Sequence, residues 1–320
     1  MQTMKNTSSN KHPFRLVLLC SLLVSLVSLC SGALLAQPQA PAFTVRSVSG
    51  NVHMLETPDA GGNIGVFSGP DGVLLIDDRY DRETEDLLAA VRSISDRPIR
   101  FVVNTHIHPD HIGGNNNLAA YGITILAHDN VRLRMLTELR IPRRGGITFP
   151  QPPEAARPVI TFSEAISFHL NGEEVRVFLA PPAHTDGDSF VHFKGSDVLH
   201  LGDVFRTNMY PIIDVYNGGS FLGMIAAMEL ALELAGPDTR VIPGHGSGIS
   251  DRAGMQEVLD MLYAVRDRVS ALVAQGLSLE QTLAAQPTAA YDARWGQVES
   301  WTAADFIPIV YEEIRGLQGR

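Results

Sequence analysis

Cysteine is almost absent. The 320 residues hold two, Cys20 and Cys30, and both fall within the first 36 positions. Past that point the chain has no thiolate for a metal, no cysteine nucleophile and no disulfide. Basic residues are also scarce, 25 Lys and Arg against 35 Asp and Glu, a net charge of −10 with neutral histidines. Such a surface repels phosphate backbones, and no basic cluster offsets it, so nucleic acid is not expected as a partner. Long apolar runs are missing as well, with one exception from Leu16 to Ala36. That run follows Lys5, Lys11 and Arg15 without any acid, and Gln37-Pro38-Gln39-Ala40-Pro41 breaks it. A basic start, an apolar middle and a small-residue exit form the layout of a secretory signal peptide.

We therefore expect residues 1–36 to be a signal peptide, cleaved after Ala36, and the protein to be exported, periplasmic or secreted. An uncleaved anchor is the alternative, since about twenty apolar residues can span a bilayer. Cys30 as a lipoprotein cysteine is a minor one, because Val27-Ser28-Leu29 fits that pattern poorly. Removing the leader takes three of the 25 basic residues and leaves 22 against 35 acids, a net of −13. Residues 37–320 are long enough for one large α/β domain. We read a core at about 43–250 and a helical part at about 251–320.

What the chain does have is Thr105-His106-Ile107-His108-Pro109-Asp110-His111-Ile112-Gly113-Gly114-Asn115, directly after the strand-like run Phe101-Val102-Val103. Three imidazoles and a carboxylate within six residues are all ligands for a borderline metal such as zinc. A helix would scatter them and a straight strand would alternate them, so a tight loop at a strand end is expected. Gly113 and Gly114 suit such a loop through their backbone freedom. His106 and His108 can share one metal, and Asp110 and His111 a second.

His-x-His-x-Asp-His after a buried strand resembles the signature of the metallo-β-lactamase superfamily. The resemblance implies three further ligands, and the chain has a candidate for each: His184 in Ala183-His184-Thr185-Asp186-Gly187-Asp188, Asp203 in Leu201-Gly202-Asp203, and His245 in Pro243-Gly244-His245-Gly246. The match runs from about residue 50 to about residue 250. It implies a four-layer αββα sandwich of class α/β, with the C-terminal helices as an extension, and two zinc ions. His106, His108 and His184 would hold the first, Asp110, His111 and His245 the second, with Asp203 bridging. It also implies that Asp77, at the end of Val73-Leu74-Leu75-Ile76, supports the metal loop from behind. Arg206 and Asn217 fall near the positions where relatives grip a substrate carboxylate and an oxyanion. Asp110 and Asp203 are the carboxylates expected to take part in catalysis.

The expected reaction is hydrolysis of a small, possibly anionic substrate by a metal-activated hydroxide, opening a cyclic amide or ester as β-lactamases do. The bridging aspartate also resembles lactonases and glyoxalase-type thioesterases, which remain alternatives. An iron dioxygenase of the same fold needs fewer ligands, and a non-catalytic binding protein would be expected to have lost one.

Along the rest of the chain, alternating runs predict strands at Phe43–Val48, Val52–Leu55, Ile64–Phe67, Val73–Ile76, Ile123–Leu126, Ile166–Leu170, Val175–Leu179, Phe190–Phe193, Val198–Leu201 and Val241-Ile242. Helical periods predict helices at Arg82–Ser95, Asp129–Arg140, Phe221–Leu234, Met255–Val273 and Ala303–Leu317. Asn171-Gly172 predicts a tight hairpin turn, and Ser278-Leu279-Glu280-Gln281 a capping box. Ile141 to Pro158, rich in Pro and Gly, is expected to exclude regular structure and to border the site.

Overall fold

A computed structural model describes residues 42–58, 61–142 and 145–318. The leader, with Cys20 and Cys30, lies outside the described residues. Strands β1 (Thr44–Ser49), β2 (Val52–Glu56), β3 (Ile64–Gly69) and β4 (Gly72–Ile76) form an antiparallel meander. After helix α1 (Thr84–Ile94), β5 (Ile99–Asn104) joins β4 in parallel. Two short helices, α2 (Pro109–Ile112) and α3 (Asn115–Ala120), lead to β6 (Thr124–His128). Helix α4 (Asp129–Arg134) and a separate hairpin of β7 (Leu139–Ile141) and β8 (Ile147–Phe149) precede β9 (Ile160–Phe162). β9 completes a seven-stranded sheet in the order β1-β2-β3-β4-β5-β6-β9.

The second sheet has six strands: β10 (Ala165–Leu170), β11 (Glu173–Leu179), β12 (Ser189–Phe193), β13 (Val198–His200) and, after helix α5 (Phe221–Leu234), β14 (Arg240–Ile242) and β15 (Ser250–Asp251). Helices α6 (Arg252–Ala274), α7 (Leu279–Ala284), α8 (Asp292–Trp295) and α9 (Ala303–Gln318) follow. Their starts obey local chemistry. Ser220 caps α5, Asp251 caps α6, and Ser278 with Gln281 forms the predicted capping box on α7. Among the described residues no helix is long and apolar enough to cross a membrane.

The period of two along each strand builds the layers. In β4, Leu74 and Ile76 face the second sheet, while Val73 and Leu75 face α1 and α3. In β12, Val191 and Phe193 face the first sheet, while Phe190 packs against the helices on the far side. Phe67 and Phe193 meet across the interface with ring centroids 5.4 Å apart. The helix–sheet–sheet–helix order is therefore the expected αββα sandwich, and α5, α6 and α9 share one apolar layer against the second sheet. At one end the hairpins β3–β4 and β10–β11 are joined. Asn171, at φ +53 in its predicted turn, donates its amide to Gly72 O at 3.0 Å, and its own N–H goes to Asp71 at 2.7 Å.

Three expectations need correction. The predicted helix Asp129–Arg140 stops at Arg134, and Leu139 instead enters β7, where it is buried. The Pro/Gly stretch from Ile141 to Pro158 is not devoid of regular structure. Its prolines flank β8 and a short 3-10 turn at Glu154–Ala156, because a two-stranded edge hairpin leaves room for residues that cannot donate. Gly113 and Gly114 are both right-handed helical in backbone, so positive φ is not their reason. Close approach is: a Cβ on Gly113 would lie 2.6 Å from Pro109 O, and one on Gly114 would lie 2.7 Å from Asp78 O.

Truncating Phe193 to alanine removes the Phe67–Phe193 contact between the sheets. We expect a loss of about 3–5 kcal/mol, read as a lower urea midpoint at unchanged slope. An unchanged midpoint would show that the sheets are held elsewhere.

Candidate metal centre

Every predicted ligand follows the carboxyl end of a strand. The His106–His111 segment follows β5, His184 follows β11, Asp203 follows β13 and His245 follows β14. β13 and β14 run parallel, and β11 shares their direction because two antiparallel steps separate it from β13. Their ends therefore open on one edge of the sandwich. The segment after β5 does not stay a loop, as expected from the sequence. Residues 105–108 are non-helical, then Pro109 starts the single turn α2 that carries Asp110 and His111. Proline's fixed φ favours that first helical position.

All seven candidates come together. Donor atoms within 4.8 Å of one another form three overlapping groups: His106, His108 and His184; His106, His111 and Asp203; Asp110, His111 and His245. Asp203 lies between the sets, with carboxylate oxygens 3.2 Å from His111 Nε2, 3.2 Å from His245 Nε2 and 3.7 Å from His184 Nε2. His245 Nε2 is also 3.2 Å from Asp110 Oδ2. Of the two carboxylates Asp110 is the more open, its side chain 19% exposed against 4% for Asp203.

The other nitrogen of four imidazoles is already committed. Thr105 donates its hydroxyl to Asp77 Oδ2 (2.8 Å), so Thr105 Oγ1 accepts from His106 Nδ1 (3.0 Å). His111 Nδ1 donates to Asp77 Oδ2 at 2.7 Å, His184 Nδ1 to Ile212 O at 2.6 Å, and His108 Nε2 to Asp214 Oδ2 at 2.9 Å. These bonds set each tautomer and turn the remaining nitrogen into the cluster. His106 Nε2 is buried there with no hydrogen-bond partner, and His184 Nε2 faces His108 Nδ1 at 2.8 Å, lone pair to lone pair. A buried acceptor nitrogen with no donor is costly unless a cation takes the lone pair. The donor set therefore fits metal ions.

Charge follows the same division. Burial drives His106 well below the usual imidazole range and His184 down to about 3, reinforced by neighbouring histidines. Burial pulls His111 and His245 the same way, but Asp203 outweighs it with help from other groups, Asp110 among them, and both stand raised. In return, against the cost of desolvation, His111 and His245 hold Asp110 and Asp203 well below the usual carboxylate range.

Asp77 sits at φ +66 with its carboxylate also accepting the Thr105 N–H at 2.7 Å. Arg206 is 4% exposed rather than a solvated loop arginine, with Nη1 3.9 Å from Asp203 Oδ2. Asn217 is not brought to the donor atoms. Its amide donates to Asp214 Oδ2 (2.5 Å) and to Arg140 O (2.9 Å), and its carbonyl accepts from Arg134. It thereby supports the partner of His108. Sequence reasoning missed Asp214, whose one signal is a lone acid in the run Ile212-Ile213-Asp214-Val215. It also missed Asp188, two residues after Asp186 in the His184 motif, which accepts the backbone N–H groups of His184 and Thr185. Beside the centre, a cavity of about 450 Å³ separates the metal loop, at Ile107, Pro109 and Ile112, from Leu139, Phe149 and Pro150.

The description Metallo-beta-lactamase superfamily matches residues 57–249. The chain belongs to this superfamily. It is 23% identical over 255 residues to a linear primary-alkylsulfatase from a Pseudomonas strain, covering 68% of this chain and 48% of that one, so it spans about half the length of that curated relative. Among solved structures it resembles a metallo-beta-lactamase from Pontibacter korlensis (TM-score 0.55, 18% identity, 69% of this chain and 99% of that one). It also resembles a stereoselective inverting sec-alkylsulfatase from Pseudomonas sp. (TM-score 0.65, 17% identity, 84% of this chain and 50% of that one). At these identities the structures establish the shared fold. The clustered His and Asp donors suit a metal site, in keeping with the superfamily.

The charge division predicts a pH signature. His111 stabilises the metal-free fold below its ordinary value of 6.5, and that stability is lost as pH rises through its raised value. Asp203 stabilises it above its ordinary 3.8, and that part is lost as pH falls through its lowered value. The Tm of metal-free protein is thus expected to decline on the alkaline side of 6.5, and zinc should abolish the decline by replacing the protons. A metal-free Tm that rises from pH 7 to 9 would contradict this.

Proposed function

We propose that the chain is a two-zinc hydrolase that opens a small cyclic amide or ester, in the manner of a β-lactamase or lactonase. The observation that carries the reading is Asp203, whose carboxylate lies within 3.7 Å of nitrogens from both histidine sets, where it would serve both ions if two were bound. When bound, two zinc ions would supply Lewis acidity and make water a competent nucleophile at neutral pH. His106, His108 and His184 would hold one, and Asp110, His111 and His245 the other. The residues do the rest. Asp110, ionised and the most open of the carboxylates, would orient the attacking water. Arg206 adds positive charge beside Asp203, which suits an anionic substrate. The largely apolar cavity beside the metal loop supports a compact organic body rather than a polymer. No donor of the set is missing, which speaks against a non-catalytic binding role.

A second reading, sulfate ester hydrolysis, draws support from the similarity to the two alkylsulfatases. The sec-alkylsulfatase structure aligns with 84% of this chain, against 69% for the Pontibacter protein.

The deciding experiment gives purified, zinc-loaded protein a chromogenic cephalosporin, a lactone and an alkyl sulfate in parallel. Ring opening of the first or second, reduced about 10²-fold or more in Asp110→Ala, is the expected result. Turnover of the sulfate alone would replace the proposal with the second reading. We further propose that the protein is exported. Mass spectrometry of the periplasmic or secreted form should then find Gln37 at the amino terminus, and an intact Met1 in the cytosol would refute it.

A further inference from the structure

Two of the three imidazoles of the first donor group, His108 and His184, take their outer partners from one irregular segment, residues 205–220. Ile212 O accepts from His184, and Asp214 accepts from His108. Only a short 3-10 turn at Val215–Asn217 is regular there, so the segment owes its shape to what grips it. Three grips come from residues beyond 249, where the superfamily match ends. Tyr210 donates its hydroxyl to Asp292 (2.8 Å) and its N–H to Trp295 O (3.0 Å). The indole of Trp301, 1% exposed, donates to Pro211 O at 3.2 Å, one residue before Ile212. Glu313 on α9 accepts the Ser220 hydroxyl at 2.6 Å and the N–H groups of Phe221 and Leu222 at 2.7 and 3.3 Å. Phe306 on the same helix stacks on Tyr210 with centroids 5.2 Å apart and meets Phe221 edge-on at 5.9 Å. One ring thus packs against Tyr210 and against Phe221, on either side of Ile212 and Asp214.

We propose that Trp301 and Glu313 are positioning residues for the first donor group. Through Pro211 and Ser220 they hold Ile212 O and Asp214 where these set the tautomers of His184 and His108. The inference rests on the two-metal reading above. It has a selective signature. In the second group His111 takes its outer support from Asp77, at the end of β4 in the other sheet. His245 meets the segment at its near end, where Thr207 donates its N–H to His245 O at 3.1 Å, ahead of the stretch from Tyr210 to Ser220 that the C-terminal helices grip. Loosening the C-terminal helices should therefore weaken one metal position and spare the other. Loss of an outer-shell partner typically costs 10–100-fold in metal affinity.

The test is a cobalt(II) titration of the full chain, followed by d–d absorption and calorimetry, with His184→Ala and His245→Ala used to assign the two steps. Trp301→Phe, which keeps the packing but loses the N–H, and Glu313→Gln are each expected to weaken the first step about 10-fold and leave the second unchanged. Val269→Ala, buried in the same helical layer but making none of these bonds, is the control for general loosening. It should lower Tm and leave both steps alone. Equal weakening of both steps, no weakening in either variant, or the same loss in Val269→Ala would each overturn the proposal. Failure of the wild-type chain to take two ions would overturn the two-metal reading itself, visibly and before any variant is compared.

Discussion

The Asp77 carboxylate is the point on which the metal loop turns. It is buried, sits in left-handed backbone, and accepts from Thr105 twice and from His111 once. Through the Thr105 hydroxyl it also orients His106. A single acid at the end of β4 thereby aims imidazoles of both donor groups. The parallel pairing of β4 with β5 makes this reach geometrically natural, since both strands finish at the same level. A non-glycine residue at φ +66 is unfavourable by itself, and three hydrogen bonds to a charged acceptor offset it.

A second constraint is like charge. Asp110, Asp203 and Asp77 all surround His111, and buried carboxylates at such spacing repel unless cations intervene. Raised histidines meet that demand in the metal-free chain, and ions would meet it when bound. The first group has the opposite character, with His106 and His184 pulled toward neutrality by burial. The two halves of the centre therefore differ in how they hold protons although they share a ligand.

Much of this was legible in the sequence, because ligand chemistry and strand alternation are local. His106 to His111 announce themselves by residue type and spacing, and β4 and β12 by their period of two. Asp77 was readable as the acid ending a buried strand. Asp214 was not, since a lone acid in an apolar run does not say which histidine, 106 residues away, it will meet. Trp301 and Glu313 were less so, because their roles exist only once chain segments about 90 residues apart meet. The β7–β8 hairpin was hidden by prolines that normally signal its absence, and Arg134 ended a helical pattern early because Leu139 found burial elsewhere. The glycines of the metal loop were correctly tied to a tight fold but for the wrong reason, crowding rather than handedness.

His111 and His245 stand 3.4 Å apart in space and 134 residues apart along the chain. Bringing such distant segments together is entropically slow and must await the docking of both sheets. The donor atoms on β5's end cannot meet those on β14's end in any half-assembled form. The centre is therefore an outcome of folding and not a seed for it. A metal ion encountering the nascent chain finds only fragments of a site, and selection among ions falls to the finished cleft.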